Sequence, residues 1–454
     1  MYTNAANVKV LDMGGYTYVG GGRTDAMLHK DMTSASLLLL LSWCRQLQVF
    51  VAGESLDGLL NADVIRGIFS LPHLVAVDFF GCSSAAFTKG FESIASDLDK
   101  VREDEGKDDA GQRANGEQAL LRWDHFDDAR QDCVSPPCSP ISEQALDVVA
   151  STASGTSTAV KSVPLTHLPF TLVRVSLHNC PTIAINASLV PFLRSLSPKM
   201  THLDLSSSKI FSSSLQHIPT AELTHLNLAK TRALTCSAVI QFLSQCPKLE
   251  YLNLSADVRM GGSGYCHDCL LAMLEHCPSV GTTLKTLDLS GSLNMTDEFL
   301  HALASRCGNS GVLTSLSIAH APFITVRSGL LPFLSTPVGQ ALQYLDVTGV
   351  HCLKHRGMDW EELLRTVNTR FTSDTIDSPA RIRIELSKDI WTWIPDASTT
   401  QDKGPLRGWI KNETGRRCSI VSTRGNGEPL HTKKLDVALT GNLSPMLKYY
   451  SFAV

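Results

Sequence analysis

The sequence predicts an α/β solenoid with short parallel strands along one side and helices along the other, and three observations carry that reading. The phrase apolar-x-x-apolar-x-apolar recurs at regular spacing through the middle of the chain. Amphipathic helical stretches lie between the recurrences. Within each phrase the inner apolar positions alternate with polar ones, the period of a strand with one buried face. One strand and one helix cannot bury their own apolar faces, so such units must stack on their neighbours.

The phrases are LVRVSLHNC from Leu172, MTHLDLSSS from Met200, LTHLNLAKT from Leu223, LEYLNLSAD from Leu249 and LKTLDLSGS from Leu284, then LTSLSIAHA from Leu313 and LQYLDVTGV from Leu342. Looser versions begin at Val8, Leu47 and Leu74. From Leu172 onward the anchors are 28, 23, 26, 35, 29 and 29 residues apart. Leucine-rich repeats run roughly 20–29 residues, so only the 35-residue interval carries an added loop, around Arg259 to Cys266. Leu203 and Leu205 are expected to face inward from a strand. Thr296 to Gly308 reads as a helix with Phe299, Leu300 and Leu303 on one face, Thr296 as N-cap, Asp297 and Glu298 in the first turn and Gly308 as C-cap. The run Leu37 to Leu41 reads as a repeat helix buried on one side. The expected architecture is a leucine-rich-repeat solenoid (horseshoe) with a parallel concave sheet and outer helices.

Hydrophobic residues make up 43% and charged residues 19% of the 454, with mean hydropathy +0.02, so most of the chain can bury a core. The net charge of −4 gives no basic face for nucleic acid. No signal peptide or membrane span is evident, and thirteen scattered cysteines fit a reducing compartment, so cytoplasmic or nuclear localisation is expected. Between Glu92 and Asp132 stand 13 acidic and 6 basic residues, followed by CVSPPCSPISE and a Ser/Thr/Ala-rich stretch. Residues 92–165 therefore read as an acidic, disordered insertion, with a short helix at Gly116 to Ala129. It separates N-terminal repeats at 1–91 from the main array at 166–350, and residues 351–454 form a C-terminal cap and tail. Ser135, Ser139 and Ser378 each precede proline and are candidate phosphorylation sites.

The phrase Cys246-Pro247-Lys248-Leu249, echoed by Cys277-Pro278-Ser279-Val280, resembles the cysteine-containing, ribonuclease-inhibitor-like repeats of F-box leucine-rich-repeat proteins and related mitotic-exit antagonists. The resemblance is close over residues 166–350 and weak over 1–91. It implies an array that presents substrates to a ubiquitin ligase through an adaptor. No F-box-like helical segment is expected ahead of the first repeat, which begins almost at Met1.

Positions between the leucines define the concave surface. One column reads Arg174, His202, His225, Tyr251, Thr286, Ser315, Tyr344, and the next Ser176, Asp204, Asn227, Asn253, Asp288, Ser317, Asp346. Arg174, His202, His225, Tyr251 and Tyr344 are the candidate partner-binding residues, because arginine and aromatic side chains dominate interface hot spots. The second column is expected to make local hydrogen bonds. His202 and His225 beside Asp204 lack any accompanying nucleophile elbow or phosphate loop, so no catalytic residue is assigned. Cys266 and Cys269 form a C-x-x-C followed by His276 and Cys277, nominally four zinc ligands. Paired spacing is absent and Cys277 falls at the buried repeat position, so these read as buried free thiols, and no metal or cofactor is expected. The expected function is a non-enzymatic scaffold binding a protein on the concave face, as in ubiquitin-ligase substrate recognition. The alternative is a regulator of a small GTPase or other enzyme.

Overall fold

The computed structural model describes residues 5–14, 32–109, 165–231, 233–256, 264–342, 344–347 and 350, and the backbone of four strands beyond them. Ten strands lie parallel and in strict chain order: β1 (Val10–Asp12), β2 (Val49–Ala52), β3 (Ala76–Phe79), β4 (Arg174–Ser176), β5 (His202–Asp204), β6 (His225–Asn227), β7 (Tyr251–Asn253), β8 (Thr286–Asp288), β9 (Ser315–Ser317) and β10 (Tyr344–Asp346). A further strand, β11 (Arg383–Leu386), joins β10 in parallel. β14 (Cys418–Ser422), β13 (Gly408–Lys411) and β12 (Ile394–Pro395) then follow antiparallel, in that order. Every parallel pair keeps the register of the repeat, so Leu203 faces Leu226 and Leu226 faces Leu252 across the sheet.

The leucine positions supply the core. Leu203, Leu205, Leu226, Leu252, Leu287, Leu289 and Leu316 are all fully buried. Each such side chain stabilises the stack by about 1.5–3 kcal/mol relative to exposure. Helices fill the other layer. α1 (Ser34–Trp43) is closed by a Thr33–Ser36 capping box and buries Leu37 and Leu41, as the leucine run predicts, while Leu39 stays exposed. α2 (Ala62–Phe69) is capped by the Asn61 side chain and buries Val64, Ile65, Ile68 and Phe69.

The insertion begins later than its charge suggests. α3 runs over Ala85–Asp109, so residues 92–109, expected to be disordered, are helical. Phe87, Phe91, Ile94, Ala95 and Leu98 recur at helical spacing, and all are buried. The acidic residues between them occupy the other faces, and one has a packing role. Asp97 accepts from Arg66 Nε at 3.0 Å and from the Leu165 N–H at 3.4 Å, which ties α3 to α2 and to the returning chain. The expected helix at 116–129 and the serines Ser135, Ser139 and Ser378 lie outside the described residues.

The sheet does not break where the sequence does. β3 pairs directly with β4, Ala76 opposite Arg174 and Asp78 opposite Ser176. A chain of phenylalanine rings crosses the same boundary: Phe79 to Phe87 at 5.4 Å, Phe87 to Phe91 at 5.8 Å and Phe91 to Phe192 at 4.9 Å between centroids. One continuous hydrophobic core therefore serves the repeats on both sides.

The later helices are α4 (Val190–Arg194), α5 (Ser212–Leu215), α6 (Cys236–Leu243), α7 (His267–His276), α8 (Asp297–Cys307), α9 (Leu331–Ser335) and α10 (Pro337–Ala341). α8 buries Phe299, Leu300 and Leu303 together, as their spacing predicts. Thr296 is its N-cap residue and Gly308 its C-cap, as expected, although the Thr296 side chain makes no cap hydrogen bond. Asp297 instead serves the next repeat: it accepts from Thr325 N at 2.7 Å, Thr325 Oγ1 at 2.6 Å and Ser328 Oγ at 2.7 Å. Among the described residues, no helix is long and apolar enough to cross a membrane.

Candidate functional site

The face of the sheet opposite the leucines carries three columns of side chains, each column one repeat position deep. The first sets Arg174 beside His202, His202 beside His225 and His225 beside Tyr251, then continues through Thr286 and Ser315 to Tyr344. Four of the five predicted partner-binding residues are thus consecutive neighbours. Tyr344 stands three strands beyond Tyr251, and its side chain lies outside the described residues.

Parallel strands in register stand about 4.8 Å apart, which suits ring stacking. His202 and His225 stack with centroids 3.9 Å apart and planes 9° from parallel. Tyr251 continues the stack on His225 at 5.9 Å and 11°. Two threonines hold the imidazoles. The Thr201 hydroxyl donates to the Val173 carbonyl and the Thr224 hydroxyl to the Thr201 carbonyl. With their protons so committed, they accept from His202 Nδ1 at 2.8 Å and His225 Nδ1 at 2.9 Å. This places the ring proton on Nδ1 in both and leaves each Nε2 as an acceptor. Burial, then the neighbouring His225 and Arg174, pushes His202 down to about 3. Burial and the cations Arg174 and Lys285 hold His225 at about 4, against an opposing pull from Glu250. Both rings are neutral at physiological pH.

The column is less exposed than its place between the leucines suggests. Arg174, His202 and His225 are half-buried, whereas Tyr251 is 3% exposed and Thr286 and Ser315 are buried. The Tyr251 ring spends one face on His225, and its hydroxyl accepts from Asn253 Nδ2 at 3.3 Å. It supports the stack from below and is not the exposed anchor that the sequence suggests.

The second column makes the local hydrogen bonds expected of it, and the pattern repeats. Asp78, Asp204, Asn227, Asn253 and Asp288 each accept the N–H two residues on, at 2.9–3.1 Å. Asn227 Nδ2 also donates to Asp204 Oδ2 at 2.8 Å, linking two repeats. Burial raises Asp78 to about 7 and Asp204 to about 6, partly opposed by hydrogen bonds from Ser176 and Ser206 respectively. Asp204 is thereby occupied with Ser206 and Asn227 within the sheet surface.

A third column went unread in the sequence. Phe80 and His178 follow the last apolar position of their phrases and stack at 5.0 Å and 9°, with Phe80 42% exposed. His178 Nδ1 meets Ser206 Oγ, which donates to Asp204 Oδ1. Burial and Lys230 push His178 down to about 4. The signal was present in FFGC and LHNC, aligned one position beyond the leucines, where other repeats hold small residues. Immediately after this column the backbone turns left-handed at Gly81, Asn179, Ser207, Lys230, Gly291 and His320. Gly81, Asn179, Ser207, Lys230 and Gly291 each donate an N–H to a carbonyl of the next repeat.

The four nominal zinc ligands divide. Cys277 enters the core, as its repeat position predicts, and His276 ends α7, while Cys266 and Cys269 are half-buried at the start of that helix.

Fold and face together define a class: a stacked strand–helix repeat array with a polar, aromatic-laddered sheet face. No family model matches the chain. It is similar to the F-box protein YLR352W of Saccharomyces cerevisiae (strain ATCC 204508 / S288c), 23% identical over 421 residues, which is 85% of this chain and 44% of that protein. The chain thus spans less than half the length of that relative. It is also similar, at 13% identity and a TM-score of 0.38, to a chain in the crystal structure of the Rad7 and Elc1 complex in yeast, covering 72% of this chain and 69% of that one.

Proposed function

We propose that this chain is a non-enzymatic, protein-binding scaffold, the recognition part of a ubiquitin-ligase assembly, and that it holds its partner on the sheet face around Arg174, His202, His225 and Phe80. The observation that carries this reading is the ladder itself. Half-buried, pre-stacked neutral rings beside one arginine offer rigid contact area whose ordering cost is already met in the fold. The Arg174 guanidinium beside these rings suits a partner segment that offers a carboxylate or backbone carbonyl. The ligase part of the reading draws support from the likeness, over most of this chain, to a protein described as an F-box protein.

Affinity purification of the full chain, followed by mass spectrometry, tests both parts. A stoichiometric protein partner that disappears in the Arg174→Ala, His202→Ala double variant supports the binding face. Co-purification of a cullin adaptor supports the ligase role. A partner retained undiminished by the double variant refutes the face. Absence of any adaptor refutes the ligase role while leaving the scaffold standing.

A further inference from the structure

The helix side carries a second cluster. Cys236, the first residue of α6, lies against Cys266 and Cys269 at the start of α7, and the three Sγ atoms are all within 4.8 Å of one another. We propose that these three thiols form a binding site for a thiophilic divalent metal ion of the zinc class, with its fourth position open to water or an outside ligand.

The geometry needs little adjustment. Zinc bound by thiolates at about 2.3 Å holds its sulfurs roughly 3.8 Å apart, so the thiols would close by about an ångström at most. The spacing also suits metal over core packing. Six other cysteines (Cys44, Cys82, Cys180, Cys246, Cys277 and Cys307) are buried in the core. Among these, Cys180 and Cys246 each give their Sγ a backbone carbonyl partner, Phe79 and Phe242 respectively. The three clustered thiols are half-exposed and gathered together, accessible to an incoming ion.

Local electrostatics points the same way. Burial raises the Cys269 thiol, its hydrogen bond with Cys266 raises it further, and repulsion between neighbouring thiolates adds to both. A divalent ion removes that repulsion and binds all three as thiolates, with three protons released. The N-termini of α6 and α7 both meet the cluster, and the positive ends of their dipoles favour the net negative charge of a metal–trithiolate centre. Two thiols come from the longest repeat interval, directly after its added loop, and one from the preceding repeat. Metal would therefore pin the enlarged loop to its neighbour. The sequence hid this because the C-x-x-C motif completes its ligand set with Cys236, thirty residues upstream, and not with His276 and Cys277.

The test is titration of the reduced, metal-free full chain with Co²⁺, followed by Zn²⁺. One equivalent of Co²⁺ should give the intense thiolate-to-cobalt charge-transfer absorption, and Zn²⁺ should abolish it. In the wild-type chain, Zn²⁺ should protect Cys236, Cys266 and Cys269 from alkylation, mapped by mass spectrometry, and should raise the melting temperature. Cys236→Ser and Cys269→Ser should each weaken binding at least 100-fold, the upper end of what losing even an outer-shell partner costs, while Cys246→Ser leaves it unchanged. Absence of the cobalt–thiolate band, protection of other cysteines, or a Cys266–Cys269 disulfide in the isolated chain would each overturn the proposal. The alkylation map needs no variant, so it stands even where a serine substitution prevents folding.

Discussion

His202 and His225 stack face to face across β5 and β6 with ring centroids 3.9 Å apart, each proton-bearing Nδ1 held by the threonine before it. Two imidazolium ions could not share that spacing, so the stack opposes protonation of both rings together.

This fixes the sign of an acid response. The folded values of about 3 and about 4 lie below the ordinary histidine value near 6.5. Between them and 6.5 the unfolded chain binds more protons, so the histidines' contribution is complete above pH 6.5 and is lost as pH falls toward 4. Melting temperature should drop across that window, and His202→Asn with His225→Asn should flatten the drop. An unaltered slope in the double variant would refute the neutral stack.

Asp78 acts in the opposite sense. Burial holds it at about 7, above its ordinary 3.8, so its contribution is complete below pH 4 and is lost as pH rises through 7. Asp78→Asn keeps an acceptor for the Phe80 N–H, which Asp78 Oδ1 now binds at 3.0 Å, and removes the buried charge. The variant should match the parent below pH 4 and melt higher at pH 8, measured by circular dichroism.

The leucine phrases made the strands, their order and their register legible, because period-two burial leaves a direct mark on sequence. The first and second columns were legible for the same reason. Exposure was not, since Tyr251 is buried by its neighbours on adjacent strands and not by anything in its own phrase. The left-handed turns were equally hidden. Gly81 and Gly291 announce such a conformation, but Asn179, Ser207 and Lys230 adopt it because the repeat's inter-strand hydrogen bonds demand it.

Those turns respond to substitution in opposite directions. Gly81 has φ +73°, and an added Cβ would meet Glu54 Cγ at 2.5 Å, so Gly81→Ala should cost about 1–2 kcal/mol or more. Lys230, at φ 58°, should tolerate glycine with a gain of up to about 1 kcal/mol. Urea denaturation of both variants tests this, and a destabilised Lys230→Gly would contradict it.

Charge misled the reading of residues 92–109, where a buried stripe outweighs the acidic surface. Phe91 is 1% exposed, and its ring meets Phe87 and Phe192 on opposite sides of the insertion. Phe91→Ala should lower stability by about 3–5 kcal/mol, as measured by urea denaturation. A loss below 1 kcal/mol would mean that α3 contributes little to the fold.

The central claim is that a protein partner docks on the laddered sheet face. Photo-crosslinking in cells tests it most directly, with benzoylphenylalanine replacing either Phe80 beside the ladder or Trp43 on the helix side. Both positions are exposed, 42% and 39% respectively, so the two probes differ in face and not in access. The account predicts one dominant adduct from Phe80, lost on Arg174→Ala with His202→Ala, and none of that mass from Trp43. The same adduct from Trp43, with none from Phe80, would contradict it.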